Sequence, residues 1–138
     1  MPDYTPFYVP GKVWTSTASA AVTGGDLVEV SGSGTVAKAA VAASGSTKFV
    51  GVAGHDAPIN GRVTVYGRGI IHQSVAQGTV TAGDLLTTPL TGATAGAQVQ
   101  TLAAVTTPTA ADVTNTRAII GIALETATNP AKVRWMEV

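Results

Sequence analysis

Short runs of alternating apolar and polar residues recur along most of the chain. Val63 and Val65 alternate with polar neighbours, and Val133 and Trp135 do the same near the C-terminus. Successive side chains of a strand point to opposite faces of a sheet, so this period of two predicts half-buried β-strands. No apolar period of 3.6 residues supports a long helix. A short helical turn is predicted for Thr109-Ala-Ala-Asp-Val-Thr, after Pro108.

Two blocks of sequence appear in the same order in each half of the chain. Val22-Thr-Gly-Gly-Asp-Leu-Val-Glu-Val30 matches Val80-Thr-Ala-Gly-Asp-Leu-Leu-Thr-Thr88. Val50-Gly-Val-Ala53 leads to Gly61-Arg-Val-Thr-Val65, just as Ile120-Gly-Ile-Ala123 leads to Ala131-Lys-Val-Arg-Trp135. This self-similarity predicts two halves of related structure, at about residues 21–70 and 79–138.

The first block is typical of a turn that leads into a strand. Gly25 and Gly83 can adopt a positive φ, and the side chains of Asp26 and Asp84 can bond nearby backbone amides. We therefore interpret these four residues as turn-forming and not as catalytic. In the second block Gly51 and Gly121 alternate with apolar residues, which indicates strands that approach another backbone closely or bend at a corner.

These patterns predict an all-β protein with little helix. An exposed sheet edge invites wrong pairing, so we expect the two halves to close on each other. The expected fold is a small antiparallel β-barrel or sandwich, formed by a single β domain over residues 21–138.

The segment before the repeat, residues 1–20, has no counterpart in the second half of the sequence. It holds four of the seven aromatic residues, Tyr4, Phe7, Tyr8 and Trp14, and has prolines at positions 2, 6 and 10. Proline removes amide donors and favours extended backbone. We predict an extended N-terminal arm whose aromatic side chains bind a partner. The alternative is that the arm folds back over its own barrel.

Composition narrows the functional classes. Eight basic and eight acidic side chains give a net charge of zero, and charged residues make up 12% of the chain. The sequence contains no basic patch, so it does not predict binding to nucleic acid or to a membrane. The absence of cysteine excludes disulfides and thiolate chemistry. No signal peptide is recognisable, so we expect synthesis in the cytoplasm.

No arrangement of residues predicts catalysis or a cofactor. His55 and His72 lack the spacing of a metal site, so we expect no metal. A Ser-His-Asp set can be assembled from Ser74, His72 and Asp56, but no nucleophile motif surrounds the serine. The sequence therefore predicts a protein that is not an enzyme.

One family resembles this chain in its motifs. Residues 22–37, then Phe-Val-Gly-Val-Ala-Gly-His-Asp-Ala (49–57) and Gly-Arg-Val-Thr-Val-Tyr-Gly-Arg-Gly (61–69), look like the capsid decoration (cement) proteins of tailed phages. The resemblance implies a β protein on the outer surface of the mature capsid. It also implies a homotrimer that bridges subunits of the major capsid protein and stabilises the shell. The arm aromatics would then contact the capsid.

Two other functional classes are weighed against this one. A host-surface or carbohydrate-binding module of a virion fibre would share the small all-β architecture and the low charge. It should show an aromatic platform or a calcium-binding carboxylate cluster, and outside the arm the sequence offers Tyr66 and Trp135. A small hydrolase or DNA-processing enzyme would need a coherent site, which the sequence lacks.

Overall fold

The fold is almost entirely β. The computed structural model describes residues 12–42, 45–103, 107–110, 113 and 116–138. Residues 110 and 113, within the predicted helical turn at 109–114, are helical, and so is residue 116 just beyond it. The first six strands are β1 (Val13–Ala18), β2 (Leu27–Gly32), β3 (Thr35–Lys38), β4 (Phe49–Ala53), β5 (Arg62–Tyr66) and β6 (Ile71–Ala76). The remainder are β7 (Thr79–Val80), β8 (Leu85–Thr87), β9 (Gln98–Thr101), β10 (Gly121–Ala123), β11 (Ala127–Thr128) and β12 (Lys132–Glu137).

Each half of the chain closes into its own five-stranded barrel. The first barrel has the order β1-β3-β2-β4-β5, and the second barrel has the same cyclic order, β6-β9-β8-β10-β12. Both are antiparallel except for one parallel pair each, β1 with β3 and β6 with β9. The short sheet of β7 and β11 repeats the bridge between Val22 and Ala57 in the first half. The sequence repeat is therefore a structural repeat.

Two predictions about domain boundaries are corrected. Strand β1 lies inside segment 1–20, the predicted arm, and it pairs with both β3 and β5. Its counterpart β6 lies between the predicted halves and pairs with β9 and β12. These two strands close their barrels, so each half covers its own edges and does not need to close on the other half. The first barrel thus begins before residue 21.

The interiors of the two barrels are filled by different residues at equivalent positions. In the first barrel Trp14 on β1 lies opposite Val65 on β5. In the second barrel the equivalent pair is His72 on β6 and Trp135 on β12, with the tryptophan on the other strand. Trp135 is fully buried. The backbone pairing is the same in both barrels, but the tryptophan lies on the first strand, β1, in one and on the last strand, β12, in the other.

The barrels pack against each other through apolar side chains and backbone hydrogen bonds. Leu27, Ala39 and Val52 of the first barrel belong to the same buried cluster as the core of the second barrel. The amide of Leu27 donates to the carbonyl of Gly96 (2.8 Å), and the amide of Gly96 donates to the carbonyl of Ala39 (3.0 Å). The loop between β8 and β9 therefore bonds the first barrel where β2 begins and just after β3 ends.

Candidate binding surfaces

The turn-forming residues occupy matching positions in the two barrels. The carboxylate of Asp26 accepts a hydrogen bond from the amide of Thr23 (2.7 Å), and Asp84 accepts one from Thr81 (2.9 Å). Gly25 and Gly83 have φ values of +92° and +91°. This is a left-handed conformation that glycine adopts without a steric penalty. Both aspartates are engaged in backbone turns.

The same two aspartates have different side-chain partners. Asp26 forms an ion pair with Lys38 at 3.1 Å. At the equivalent position of the second barrel, Thr101 donates its hydroxyl proton to Asp84 at 2.7 Å. That hydrogen bond, followed by the one from the Thr81 amide, lowers the pKa of Asp84 below its ordinary value. Each carboxylate therefore links the turn to the third strand of its barrel.

The turn that contains His55 also has a counterpart with different chemistry. His55 Nε2 accepts the amide of Thr64 at 3.2 Å, and Glu125 Oε1 accepts the amide of Arg134 at 2.9 Å. The Arg134 side chain adds an ion pair to Glu125 at 3.0 Å, and its hydrogen bonds lower the pKa of that carboxyl. His55 and Glu125 thus have the same structural role: each side chain accepts a backbone amide of the strand that follows its turn.

Polar side chains inside the second barrel bond each other. His72 Nε2 lies 3.3 Å from Glu137 Oε2, and both residues are buried. Trp135 donates its indole N–H to the hydroxyl of Ser74 at 3.0 Å. The histidine and tryptophan rings lie 5.0 Å apart. Asp56 bonds the amide of Gly24 in the first barrel, so the Ser74, His72 and Asp56 set is not assembled as a triad.

Of the four predicted capsid-contacting aromatics, one can be placed. Tyr4, Phe7 and Tyr8 lie outside the described residues. Trp14 lies on β1, is half-buried, and packs against the core of the first barrel. It is therefore a barrel residue and not a freely presented anchor. The sequence did not predict strand β1, because its Thr and Ser residues make the apolar–polar alternation weak and because prolines precede it.

A pocket lies between the two halves. Equivalent residues line it from both sides, Phe49 and Val50 from the first half and Ile119 and Ile120 from the second. Trp14, Ser46, Thr47, Arg68, Arg117, Glu137 and Val138 complete the lining. Within the described ranges neither arginine forms an ion pair. The pocket combines aromatic surface with two arginines and one glutamate. It could not be predicted from the sequence, because its residues come from distant segments.

The described part of the chain offers neither a cluster of metal ligands nor a membrane-spanning helix. No group of three or more His, Asp or Glu side chains there is arranged to hold a metal ion. No helix among the described residues is long and apolar enough to cross a bilayer.

Comparison with known proteins gives a likeness of fold. No family model matches the sequence, and no curated protein matches it. Among solved structures, the chain is similar to the head fiber gp8.5 N base of bacteriophage phi29, with a TM-score of 0.56. The two sequences are 19% identical, and the match covers 91% of this chain and 92% of that one. This chain and that phage head-fiber base therefore share an overall fold.

Proposed function

We propose that this protein is a virion structural protein of a tailed phage that binds the outer surface of the mature capsid. The observation that carries the proposal is the end-to-end likeness to a phage head-fibre base, which spans more than nine-tenths of both chains. The sequence motifs independently resemble capsid decoration proteins. In this proposal the protein bridges subunits of the major capsid protein and stabilises the shell.

The proposed mechanism needs no catalysis, cofactor, nucleic acid or membrane. A protein that binds the assembled shell and not the free subunit shifts the equilibrium toward the shell by mass action. The polar residues that could suggest an enzyme are engaged in structure: His55 holds a strand, and His72 and Ser74 bond within the second barrel. This use of polar groups supports a binding protein over an enzyme.

Shell contact is assigned to the arm aromatics Tyr4, Phe7 and Tyr8. Large rings contribute much of the energy of small interfaces. In a homotrimer three arms would bind one shell site, and tethering raises the combined affinity by about 10²–10⁴ over one arm. Because Trp14 belongs to β1, it is left out of this contact set.

The test measures binding of the purified protein to expanded capsids that lack it. Deletion of residues 1–11 leaves β1 intact, because that strand begins at Val13. We expect this deletion, and the triple change Tyr4→Ala, Phe7→Ala and Tyr8→Ala, to raise the dissociation constant for the shell at least about 30-fold. The control Ile59→Ala changes an exposed side chain in a turn of the first barrel and should leave occupancy unchanged. Equal binding by the wild type and the deletion would reject the arm as the contact, and no binding by the wild type would reject the function.

The second candidate is a host-surface or carbohydrate-binding module of a virion fibre. The pocket favours it, since Trp14 offers a ring for a sugar to stack on and Arg68 and Arg117 offer donors to an acidic sugar. Glycan binding that is lost on Arg68→Ala would support this candidate. Electron microscopy of the parent particle would separate the two, by showing density on lattice positions of the shell or at the tip of a fibre.

A further inference from the structure

Apolar side chains, three exposed and one half-buried, form a row across four adjacent strands of the second barrel. Ile71 lies opposite Met136, Met136 opposite Ile122, and Ile122 opposite Leu85. Directly opposite residues share a face of the sheet. That face is the outer one, because the next residues along β6 and β10 are buried. Ile71 is 59% exposed, Leu85 43% and Met136 36%. We call these four residues the outer row.

The first barrel has the same row, and the chain itself covers half of it. Val13, Tyr66, Val52 and Leu27 are joined by the equivalent pairings. Val13 and Tyr66 are exposed, like their counterparts Ile71 and Met136. Leu27 and Val52 are 0% and 6% exposed, because they pack into the cluster shared with the second barrel. Half of the equivalent row in the first barrel is thus already buried against the second barrel.

The loop that bonds the Leu27 amide differs in length between the two barrels. The loop that reaches Leu27 runs over residues 88–97, between Thr87 of β8 and Gln98 of β9. Its equivalent in the first barrel is residues 33–34, between Gly32 and Thr35. Two residues cannot extend over a neighbouring barrel as ten can. Leu85 is 43% exposed, whereas Leu27 is fully buried.

We infer that the outer row is the surface on which a second copy of this chain docks. The pairing of the two barrels within the chain supports this occupant, since another copy supplies a surface of the same fold. The net charge of zero supports it too, because two copies approach without net repulsion. A stable interface buries about 800 Å² on each partner. Leu124 and Val138, 45% and 44% exposed, continue the apolar surface along β10 and β12.

The inference deepens the self-association included in the proposed function and rests on it for its biological setting. Its test is sedimentation velocity of the purified full chain over a range of concentrations. We expect the wild type to self-associate. Ile71→Lys should raise the dissociation constant at least about 30-fold, as for a central interface residue, since it places a charge in the contact. Met136→Lys should act in the same direction.

The matched control is Ile59→Lys. Ile59 is 62% exposed, close to the 59% of Ile71, but it lies in a turn of the first barrel. It should leave self-association unchanged. Far-UV circular dichroism and thermal melting establish that each variant is folded, and Leu85→Lys replaces any variant that is not. A monomeric wild type, or equal dissociation of the Ile59 and Ile71 variants, would overturn the inference.

Capsid binding by the same proteins separates this inference from the proposed function. If the wild type self-associates through the row but does not bind shells, the proposed function fails and the inference stands. If the wild type is monomeric and Ile71→Lys loses shell binding, the row is a capsid contact and the second-copy inference is wrong.

Discussion

At the residue scale, two equivalent glycines set how closely neighbouring strands approach. A Cβ at Gly51 would clash with the carbonyl oxygen of Tyr66, and one at Gly121 with the carbonyl oxygen of Met136. Gly51 also has a φ of +148°, which side chains disfavour. The sequence predicted a close approach at both positions from the alternation of glycine with apolar residues. The structure identifies the backbone that is approached.

We predict that Gly121→Ala lowers the free energy of unfolding by at least about 2 kcal/mol, since the methyl group overpacks a barrel wall. The matched control is Gly67→Ala, where a Cβ would meet its nearest atoms at 3.7 and 3.8 Å, an ordinary contact distance. Its effect should be within about 0.5 kcal/mol. Urea denaturation of both variants checks the difference. Equal stability of the two would contradict the steric argument.

At the scale of elements, the turn that begins β8 is tied to β9 through Asp84. The hydroxyl of Thr101 and the amide of Thr81 bond the carboxylate and lower its pKa. A lowered folded-state pKa means that the ionised carboxylate is favoured by folding. Its contribution is complete at pH values above the unfolded pKa and is lost as the pH falls through the folded pKa.

We predict that Thr101→Val raises the pKa of Asp84 toward its ordinary value. The stability difference between wild type and variant should be largest near neutral pH and should shrink in the acidic range where Asp84 protonates. Urea denaturation as a function of pH measures the difference, and NMR titration of the carboxyl group measures the pKa. Thr79→Val is the control, since that hydroxyl bonds Thr128 and no carboxylate. A difference that does not vary with pH would argue against this role of Thr101.

At the scale of the whole molecule, the two barrels share one buried cluster. Leu27 of the first barrel is part of the core that contains Trp135 of the second. One tryptophan lies in each barrel, Trp14 in the first and Trp135 in the second. The fluorescence of each can therefore report on its own barrel.

We predict that the barrels unfold in one cooperative transition. In each single-tryptophan variant, Trp14→Phe and Trp135→Phe, the unfolding curve from the remaining tryptophan should coincide with the far-UV circular dichroism curve of the same variant. Leu27→Ala should destabilise both barrels together by about 2–5 kcal/mol, the range for a buried leucine. Leu85→Ala, at the equivalent exposed position and measured in dilute solution, should cost less than about 1 kcal/mol. Two separated transitions would show that the shared cluster does not couple the barrels.

The sequence by itself determined the all-β class, the turns at Asp26 and Asp84, and the existence of two related halves. These features depend on local spacing, which alternation and turn residues record directly. It did not reveal β1 and β6 as repeat partners, because Val13–Ala18 and Ile71–Ala76 share few residues. Their equivalence lies in hydrogen-bonded pairing, which a sequence comparison does not see.

Tertiary structure decided how the halves close and which equivalent positions are buried. Leu27 and Leu85 stand in the same repeated motif, yet one is fully buried and the other is 43% exposed. The Leu27 side chain packs in the cluster shared with the second barrel, and its amide bonds Gly96 in the loop 88–97, which lies outside the motif. Burial depends on which distant segments pack against a residue, so the same residue in two similar local patterns can have opposite environments.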